Sequence, residues 1–556
     1  MAPDAATTTT TRARDPVATA VEDAEDVVPG TVYLVDLHGR TKAKHAGGGH
    51  RDILLVPAPS SDPDDPLNWA PSRKALSMAC MCVYTLMVGI ASAAIYSVLE
   101  DIAAATGLTL ADLNAGTGYM FLALGWGCLV WQPLALQYGK RPVYLFSLLA
   151  TLAVLAWAPV TVSNGQWIAN KTLQGFFGAP IESLCEISVT DVYFQHERGA
   201  YIGLYALLLA GSSFLAPIMA GWIAQEMGWE WVLYWCAIFC AVGFVFCFFF
   251  MEETKYSRGV MVGHEVGHSG IDEVNMADAV DGEKKCVGPE AEPAVTPTSK
   301  AYWDKVKLWR AEDVKKPKHL AVMVSRPLVF LSFPVIFYAG LSYGSNLVWF
   351  NVLNGTSSLI LATRYGFSSG LVGTSYISPL IGVALGSLYT GPIGDRIVLW
   401  MARRNDGVAE PEHRLWLFLP SLALVPFGLI LWGVGAAHKI HWFGCVFAMG
   451  VIALTNTIGL QLSVSYCIDS YKDLAGEAVV TVILVRNTMS FAVGYGLTPW
   501  VDGMGLQNAF LVAALAGLAQ CLTFLLFVRY GKGFRRTSAP RYARYVGRMA
   551  STGLVR

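Results

Sequence analysis

Long apolar runs separated by polar connections occupy most of the chain. Each run can cross the roughly 30 Å hydrocarbon core of a bilayer as an α-helix of about 20 residues. Six runs precede a polar stretch at 252–326 and six follow it, so the pattern predicts twelve transmembrane helices in two sets. The runs lie at about 74–98, 115–137, 142–162, 167–193, 200–224, 231–251, 327–352, 371–394, 415–436, 441–468, 476–500 and 507–529.

This pattern predicts an all-α polytopic membrane protein with two six-helix halves, an arrangement that suggests duplication, as in many secondary carriers. Residues 1–72 and 257–300 are rich in Gly, Pro, Ala and charge and lack apolar periodicity. We therefore expect them to be mostly disordered. The predicted parts are an N-terminal tail at 1–73, helical halves at 74–251 and 327–529, a central loop at 252–326 and a basic tail at 530–556.

Composition supports the membrane prediction. The 556 residues are 54% hydrophobic and only 15% charged, and the mean hydropathy is +0.45. Soluble proteins carry about 25% charged residues, so a soluble enzyme and a disordered protein are both excluded. A formal net charge of −1 excludes a nucleic-acid-binding protein. The 11 cysteines show no framework spacing, and we expect them to pack in the apolar runs rather than form disulfides.

The basic residues indicate which way the chain is inserted. Cytoplasmic connections of membrane proteins carry an excess of Lys and Arg. Here the bases gather in the central loop, the C-terminal tail and one set of turns, whereas the opposite connections contain only Arg364 and Lys439. With an even number of spans, this bias predicts that both termini and the central loop lie in the cytoplasm. We expect the membrane to be the plasma membrane.

The fourth run contains ionisable residues that are costly at membrane depth. Lys171, Glu182 and Glu186 are spaced so that one helical face carries all three. Such groups normally face a cavity or each other, and two carboxylates one turn apart repel unless one takes up a proton. The pattern favours a site for protons or an organic cation, although a charge network that only fixes the packing gives the same pattern.

Other polar residues at membrane depth complete the predicted site. Arg486 and Asn487 lie near the middle of the eleventh run, and Arg486 needs a partner from another helix. Tyr96, Asn346 and Asn456 are further candidates to line a cavity, although each also suits ordinary packing.

Two turns carry a recognisable pattern. Gly139-Lys140-Arg141 follows the second run, and Gly394-Asp395-Arg396 follows the eighth. A tight basic turn at both places resembles the signature loop of the major facilitator superfamily, which latches the cytoplasmic side. The first copy has Leu136 where the family has an acidic residue. A basic turn on its own would be explained by membrane topology.

Further motifs resemble the fungal branch of that superfamily, which includes polyamine and cation carriers and drug:proton antiporters. Asp62-Pro63 through Asn68-Trp69 forms a D-P-x-x-P-x-N-W segment. Lys171 occupies the place of an arginine in an R-x-x-Q-G motif. Pro217 and Gly221 resemble part of the family's antiporter motif, although a packing helix rich in small residues looks the same.

The resemblance implies a proton-coupled carrier for a small organic solute that works by alternating access as a monomer, with spans 1, 4, 7 and 10 lining the cavity. An efflux pump for drugs, toxins or secondary metabolites is the main alternative, and a membrane sensor that moves no solute is a distant one. No enzyme, cofactor or metal site is predicted. The segment from His264 to His268 matches H-E-x-x-H, but glycines surround it and no third ligand is evident. Asn354 is the predicted glycosylation site.

Overall fold

A computed structural model describes residues 28–33, 62, 64–256, 307, 320–405 and 408–551 of the chain. The apolar helices are called spans and numbered in chain order. The His264–His268 segment lies outside the described residues. The spans of the first half are Pro71–Ala93, Leu110–Tyr138, Lys140–Trp157, Asn164–Gly178 with Pro180–Val192, Gln195–Met227 and Trp229–Phe250.

The second half contains more helix breaks than the first. A helix at Leu320–Phe330 precedes span 7, and span 8 passes through a short π-helical stretch at Tyr389–Ile393. Spans 11 and 12 form one continuous helical stretch, Ala475–Ser551, interrupted at Gly505. Span 7 is Pro334–Ser358, and span 8 consists of Ser369–Ser375, Ile377–Leu388 and Gly394–Arg404. Span 9 is Ser421–Ala437, and span 10 is Trp442–Ser470.

The described residues supply twelve crossings. Nine helices are individually long and apolar enough to cross a membrane, and the longest, Ala475–Gly547, has 73 residues. At 1.5 Å per residue it is several times as long as a bilayer is thick, and its left-handed Gly505 (φ 74°) divides it into two spans. Span 7, together with the helix Leu320–Phe330 that meets it at a sharp bend, adds another crossing. The two pieces of span 4, which Ala179 and Pro180 separate, add the twelfth.

The halves repeat the same packing. Span 1 packs on spans 5 and 6, span 2 on span 4, and span 3 on span 6. In the second half, span 7 packs on span 11, span 8 on span 10, and span 9 on span 12. The two halves meet where span 2 contacts span 11 and where span 5 contacts span 8. This correspondence is what a duplicated six-helix unit produces.

A short part of the N-terminal tail docks on the second half. Val32 and Tyr33 pair antiparallel with Ala409 and Val408, in the connection between spans 8 and 9. The Pro29 carbonyl accepts a hydrogen bond of 2.5 Å from Arg535 in the helix that continues span 12. The prediction of a disordered tail therefore does not hold for residues 28–33, because strand pairing and a buried arginine satisfy their backbone.

Candidate functional site

An ion pair lies at the centre of the bundle, between the two halves. Glu182 of span 4 and Arg486 of span 11 are in direct contact, and their side chains are only 11% and 6% exposed. Each charge would be expensive to bury alone, and each reduces the cost of burying the other. The sequence predicts both residues as site candidates, and the folded chain makes them partners.

Arg486 has a second partner in span 7. Its guanidinium donates a hydrogen bond to the Tyr343 hydroxyl, and it lies 4.5 Å from the centre of the Tyr343 ring. Gly344 allows this approach, since a Cβ there would lie 2.9 Å from the Arg486 Cα. The buried Nε of Arg486 has no partner among the described residues. The arginine therefore keeps an unused donor at the centre of the protein.

Glu186 lies one helical turn beyond Glu182, on the same side of span 4. It is half-buried and interacts electrostatically with both Glu182 and Arg486. In the part of the chain that the structure describes, it accepts no hydrogen bond and forms no ion pair of its own. The structure thus brings two carboxylates to one arginine, and the second carboxylate is available to a proton or a cationic ligand.

Asparagine side chains with unpartnered polar atoms lie in spans 7, 10 and 11. Both polar atoms of Asn487 are buried and unpartnered among the described residues, as are the side-chain oxygens of Asn346 and Asn456. Buried polar groups normally have a hydrogen-bond partner, so each of these calls for water or a ligand. Asn351 in span 7, which was not among the predicted site residues, also has both polar atoms buried and without a partner among the described residues.

Two of the predicted site residues lie away from the ion pair. Lys171 is fully buried and donates a 2.8 Å hydrogen bond to Gln174, with its ammonium 4.7 Å from the centre of the Trp167 ring. It lies eleven positions before Glu182, about 16 Å along the helix axis. Tyr96 is buried in an apolar cluster near the connection between spans 1 and 2.

The halves are hydrogen-bonded to each other at the end of the bundle opposite the basic turns, here called the outer end. Asn114 of span 2 donates to Thr498 of span 11 at 3.1 Å, and Ser369 donates to Asp101 at 2.5 Å. Where the structure describes both partners, the other hydrogen bonds between the helical halves lie at this end or beside the ion pair. They are Asn114–Gly355, Trp126–Thr488, Trp222–Thr374, Thr363–Glu100 and Ser368–Gln225.

Pro217 and Gly221 lie at this outer contact. A Cβ on Gly221 would meet the Ser369 carbonyl at 2.2 Å, and a Cβ on Gly373 would meet the Pro217 carbonyl at 2.5 Å. The small residues therefore let spans 5 and 8 touch backbone to backbone. Both candidates lie where the two halves would have to separate for the outer end to open.

The first basic turn is bound inside its own half. Lys140 forms a 2.5 Å ion pair with Asp191 at the end of span 4. The backbone amides of Lys140 and Arg141 each donate to the Glu253 carboxylate at 3.0 Å. Gly139 has φ 117°, and a Cβ there would lie 2.6 Å from a Glu253 oxygen. Because Leu136 is not acidic, Asp191 and Glu253 supply the carboxylates of this turn.

The second basic turn uses a different arginine from the one the sequence predicts. Asp395 lies 3.7 Å from Arg414, in the short helix Pro411–Phe418 before span 9, and Arg414 lies 3.3 Å from Asp469 at the end of span 10. Arg396 is exposed and has no ion-pair partner among the described residues. The base therefore comes from the next connection, which a pattern of adjacent residues does not reveal.

A buried ion pair beside this turn was not predicted. Arg535, which is 0% exposed, forms hydrogen bonds of 2.9 and 2.6 Å with Glu412, and Tyr466 donates to the same carboxylate at 3.4 Å. In the first half the end of span 6 supplies Glu253 to the start of span 3. In the second half, the helix that continues span 12 supplies Arg535 to Glu412, just before span 9. The two halves therefore share this contact, but the residue that follows the last span of the half is acidic in the first half and basic in the second.

The predicted glycosylation site does not fit the fold. Asn354 is 1% exposed within the helix Pro334–Ser358, and its side-chain oxygen accepts a 3.1 Å hydrogen bond from Tyr376. The folded chain leaves no space there for a glycan. The described residues also contain no group of three His, Cys, Asp or Glu side chains that could hold a metal ion.

Comparison with known proteins gives the same assignment throughout. The family model of the Major Facilitator Superfamily matches residues 81–492. An uncharacterized MFS-type transporter of Schizosaccharomyces pombe is 27% identical, covering 93% of this chain and 94% of that protein. Protein HOL1 of Saccharomyces cerevisiae is 24% identical, with 92% and 96% covered, and the efflux pump FUBT of Fusarium oxysporum is 24% identical, with 85% and 76% covered.

Among solved structures, a D-xylose-proton symporter shares the fold at 11% identity and a TM-score of 0.53, with 81% of this chain and 97% of that chain covered. The predicted all-α fold of two six-helix halves is confirmed, as is the resemblance to fungal members. The protein is a multi-pass membrane transporter and not an enzyme. The chain belongs to the Major Facilitator Superfamily.

Proposed function

We propose that this transporter is a proton-coupled secondary carrier that moves a small organic cation, polyamine-like in its spaced amines, by alternating access. The observation that carries the proposal is the central ion pair between Glu182 and Arg486, which joins the two halves. Pulling the halves apart would leave both charges in a medium of low dielectric, at a cost of several kcal/mol per ion. The pair therefore opposes separation until another charge replaces one member.

A proton or a cationic solute can make that replacement. Protonation of Glu182 removes its attraction for Arg486, and an ammonium group bound by Glu182 and Glu186 offsets the carboxylates in the same way. Either event lowers the cost of separating spans 4 and 11. Because both ligands use the same carboxylates, their binding is linked, and this linkage is the basis of coupled transport.

The unpartnered amides suit the remaining polar groups of a solute. Asn346 and Asn456 offer buried acceptors, and Asn487 and Asn351 offer both donors and acceptors, that no described residue satisfies. A bound solute that satisfied them would gain hydrogen bonds without displacing protein partners. Lys171, which contacts Gln174 and Trp167, and Tyr96 lie away from the ion pair, and we assign them to a part of the solute path nearer the outer end.

The charge distribution supports the same orientation that the sequence predicts. The end of the bundle with the basic turns faces the cytoplasm, in the plasma membrane, and both termini lie on that side. The conformation described is then one whose hydrogen-bonded end is closed to the outside. Pro217 and Gly221 would form the contact that opens, while Gly139, Lys140, Arg141, Asp395 and Arg396 would stabilise the cytoplasmic side.

An efflux pump for drugs, toxins or secondary metabolites is the alternative. The observation that favours it is the similarity to a Fusarium oxysporum protein that is named as an efflux pump. The same ion pair would serve either direction, since a carrier follows the gradients of its ligands. Direction therefore has to be measured with the protein in a known orientation.

The proposal is tested with the full chain in liposomes that contain a pH-sensitive dye. Spermidine, amino-acid derivatives and cationic dyes are offered in turn, and solute uptake and internal pH are followed together. Coupling is supported if uptake of a solute is accompanied by a change in internal pH and if a protonophore abolishes accumulation of that solute. Solute flux that ignores the pH gradient would contradict it, and absence of flux with every solute would favour the sensor alternative.

A further inference from the structure

A cavity of about 230 Å³ lies at the basic end of the bundle, far from the central ion pair. It is several times the roughly 30 Å³ that a water molecule occupies in the liquid. Its walls come from the bend between the helix Leu320–Phe330 and span 7, here called the elbow, and from the helix that continues span 12. The lining residues are Val329, Ser332, Phe333, Arg541, Arg544 and Tyr545.

The elbow has the geometry of a helix lying at a membrane surface. The helix Leu320–Phe330 meets span 7 at an angle of 79°. Because span 7 crosses the membrane, this helix lies close to the membrane plane. Leu328, Val329 and Leu331 are each more than a third exposed, so its free apolar side is available to acyl chains.

The C-terminal helix closes the cavity with aromatic contacts. The Tyr545 ring packs against Phe330 with centroids 5.6 Å apart and against Phe333 at 6.4 Å. Arg541 is one helical turn before Tyr545, so it lies on the same face. The ring contacts therefore hold Arg541 and its neighbour Arg544 at the mouth of the cavity.

The two arginines have no carboxylate partner in the part of the chain that the structure describes. Both are exposed, and among the described residues neither forms an ion pair. Within the described ranges, Arg544 donates to the Pro540 carbonyl of its own helix, at 3.3 Å. None of the described residues that line the cavity is acidic. Two guanidinium groups and the Ser332 hydroxyl therefore face a space to which no described residue contributes a negative charge.

We propose that this cavity binds the phosphate headgroup of an anionic phospholipid. Guanidinium groups bind phosphate oxygens with paired, charge-assisted hydrogen bonds. Inorganic phosphate offers the same oxygens, but the exposed Leu328, Val329 and Leu331 beside the mouth favour a ligand with acyl chains. The lipid would fix the C-terminal helix against the elbow of span 7, at a place that the proposed transport site does not use.

The full chain, purified in a neutral detergent, is titrated with phosphatidylinositol, phosphatidylcholine and inorganic phosphate, and bound ligand is counted by native mass spectrometry. We expect selective binding of phosphatidylinositol. The double variant Arg541→Gln/Arg544→Gln should bind it at least about tenfold more weakly, because it loses two charge-assisted contacts to the phosphate. The matched control Arg403→Gln/Arg404→Gln removes two exposed arginines elsewhere on the basic end and should retain selective binding.

Equal losses in the two double variants, equal binding of phosphatidylcholine, or binding of inorganic phosphate without lipid would each overturn the proposal. If Arg541→Gln/Arg544→Gln does not fold, Arg541→Lys/Arg544→Lys keeps both charges but loses the paired hydrogen bonds. That variant should bind phosphatidylinositol more weakly than the unmodified chain and more tightly than phosphatidylcholine. Unchanged affinity would contradict a site built on guanidinium groups.

Discussion

Glu182 in span 4 and Arg486 in span 11 form an ion pair that connects the two halves of the transporter at their centre. The partners come from different halves of the chain, so any rocking of one half against the other must act on this contact. An ion pair between moving parts can control their separation only if a ligand can replace one of its members. The second carboxylate, Glu186, makes such a replacement chemically simple.

The first prediction concerns stability at the ion pair. Arg486→Gln leaves the Glu182 carboxylate buried without a partner, and we expect a loss of about 3–5 kcal/mol in the free energy of unfolding. Glu182→Gln/Arg486→Gln removes both charges and should recover most of that loss while coupled transport stays absent. Thermal unfolding of the detergent-purified variants measures the difference. Equal melting temperatures for the single and double variants would argue against the pair.

The second prediction concerns the outer contact of spans 5 and 8. Gly221→Leu places a side chain against the Ser369 carbonyl, which a Cβ alone would already approach to 2.2 Å. We expect the outer end to open, so a membrane-impermeant maleimide should label an introduced Asn114→Cys several-fold faster than in the parent. Gly203→Leu on the same helix is the control, since no described residue beyond its own helix lies within 4 Å of its Cβ position. Similar rates in both would contradict the prediction.

The third prediction concerns the docked tail. Gly30 has φ 85°, and a Cβ there would lie 2.6 Å from the Asp469 carbonyl, so Gly30→Val should release residues 28–33 from the second half. Hydrogen exchange at the amides of Val32 and Tyr33 should become as fast as in an unstructured peptide. Gly107→Val is also strained, at φ 72°, but has open space around it. Gly107→Val should therefore leave hydrogen exchange at the tail unchanged. Equally fast exchange in both variants would contradict the docking contact at Gly30.

The fourth prediction compares the two basic turns. Lys140→Met leaves the Asp191 carboxylate without its buried ammonium partner, so we expect a loss of about 3 kcal/mol or more. Arg396→Met removes an exposed charge and should change stability by no more than about 0.5 kcal/mol. Denaturant or thermal unfolding of the two variants side by side measures the contrast. A large loss for Arg396→Met would show that this residue has a partner in the folded chain.

The sequence predicts the fold well because the signal is repeated. Every apolar run had to be long enough to cross a bilayer, and short breaks such as the one at Pro180 leave that length intact. Glu182 and Arg486 are also accessible to sequence reasoning, since charges at membrane depth are rare and expensive. Their pairing could not be predicted, because helical periodicity indicates which face of a helix a residue occupies but not which helix packs against that face.

The remaining differences have similar physical causes. Lys171 shares a helical face with Glu182, but the rise of the helix places it too far along the axis to join the pair. The Asn354 sequon is a linear pattern that carries no information about burial, and the folded helix encloses it. Asp395 finds its base at Arg414, in the next connection, because the turn brings residues together that are distant in sequence.

The most direct test of the central claim compares two transport assays on Glu182→Gln, with Glu226→Gln, an exposed carboxylate of span 5, as the control. Liposomes are loaded with a solute that the unmodified protein transports. If Glu182 links proton binding to movement of the halves, the variant should still exchange labelled for unlabelled solute but should no longer accumulate it in response to a pH gradient. Accumulation at the level of the unmodified protein would contradict the account.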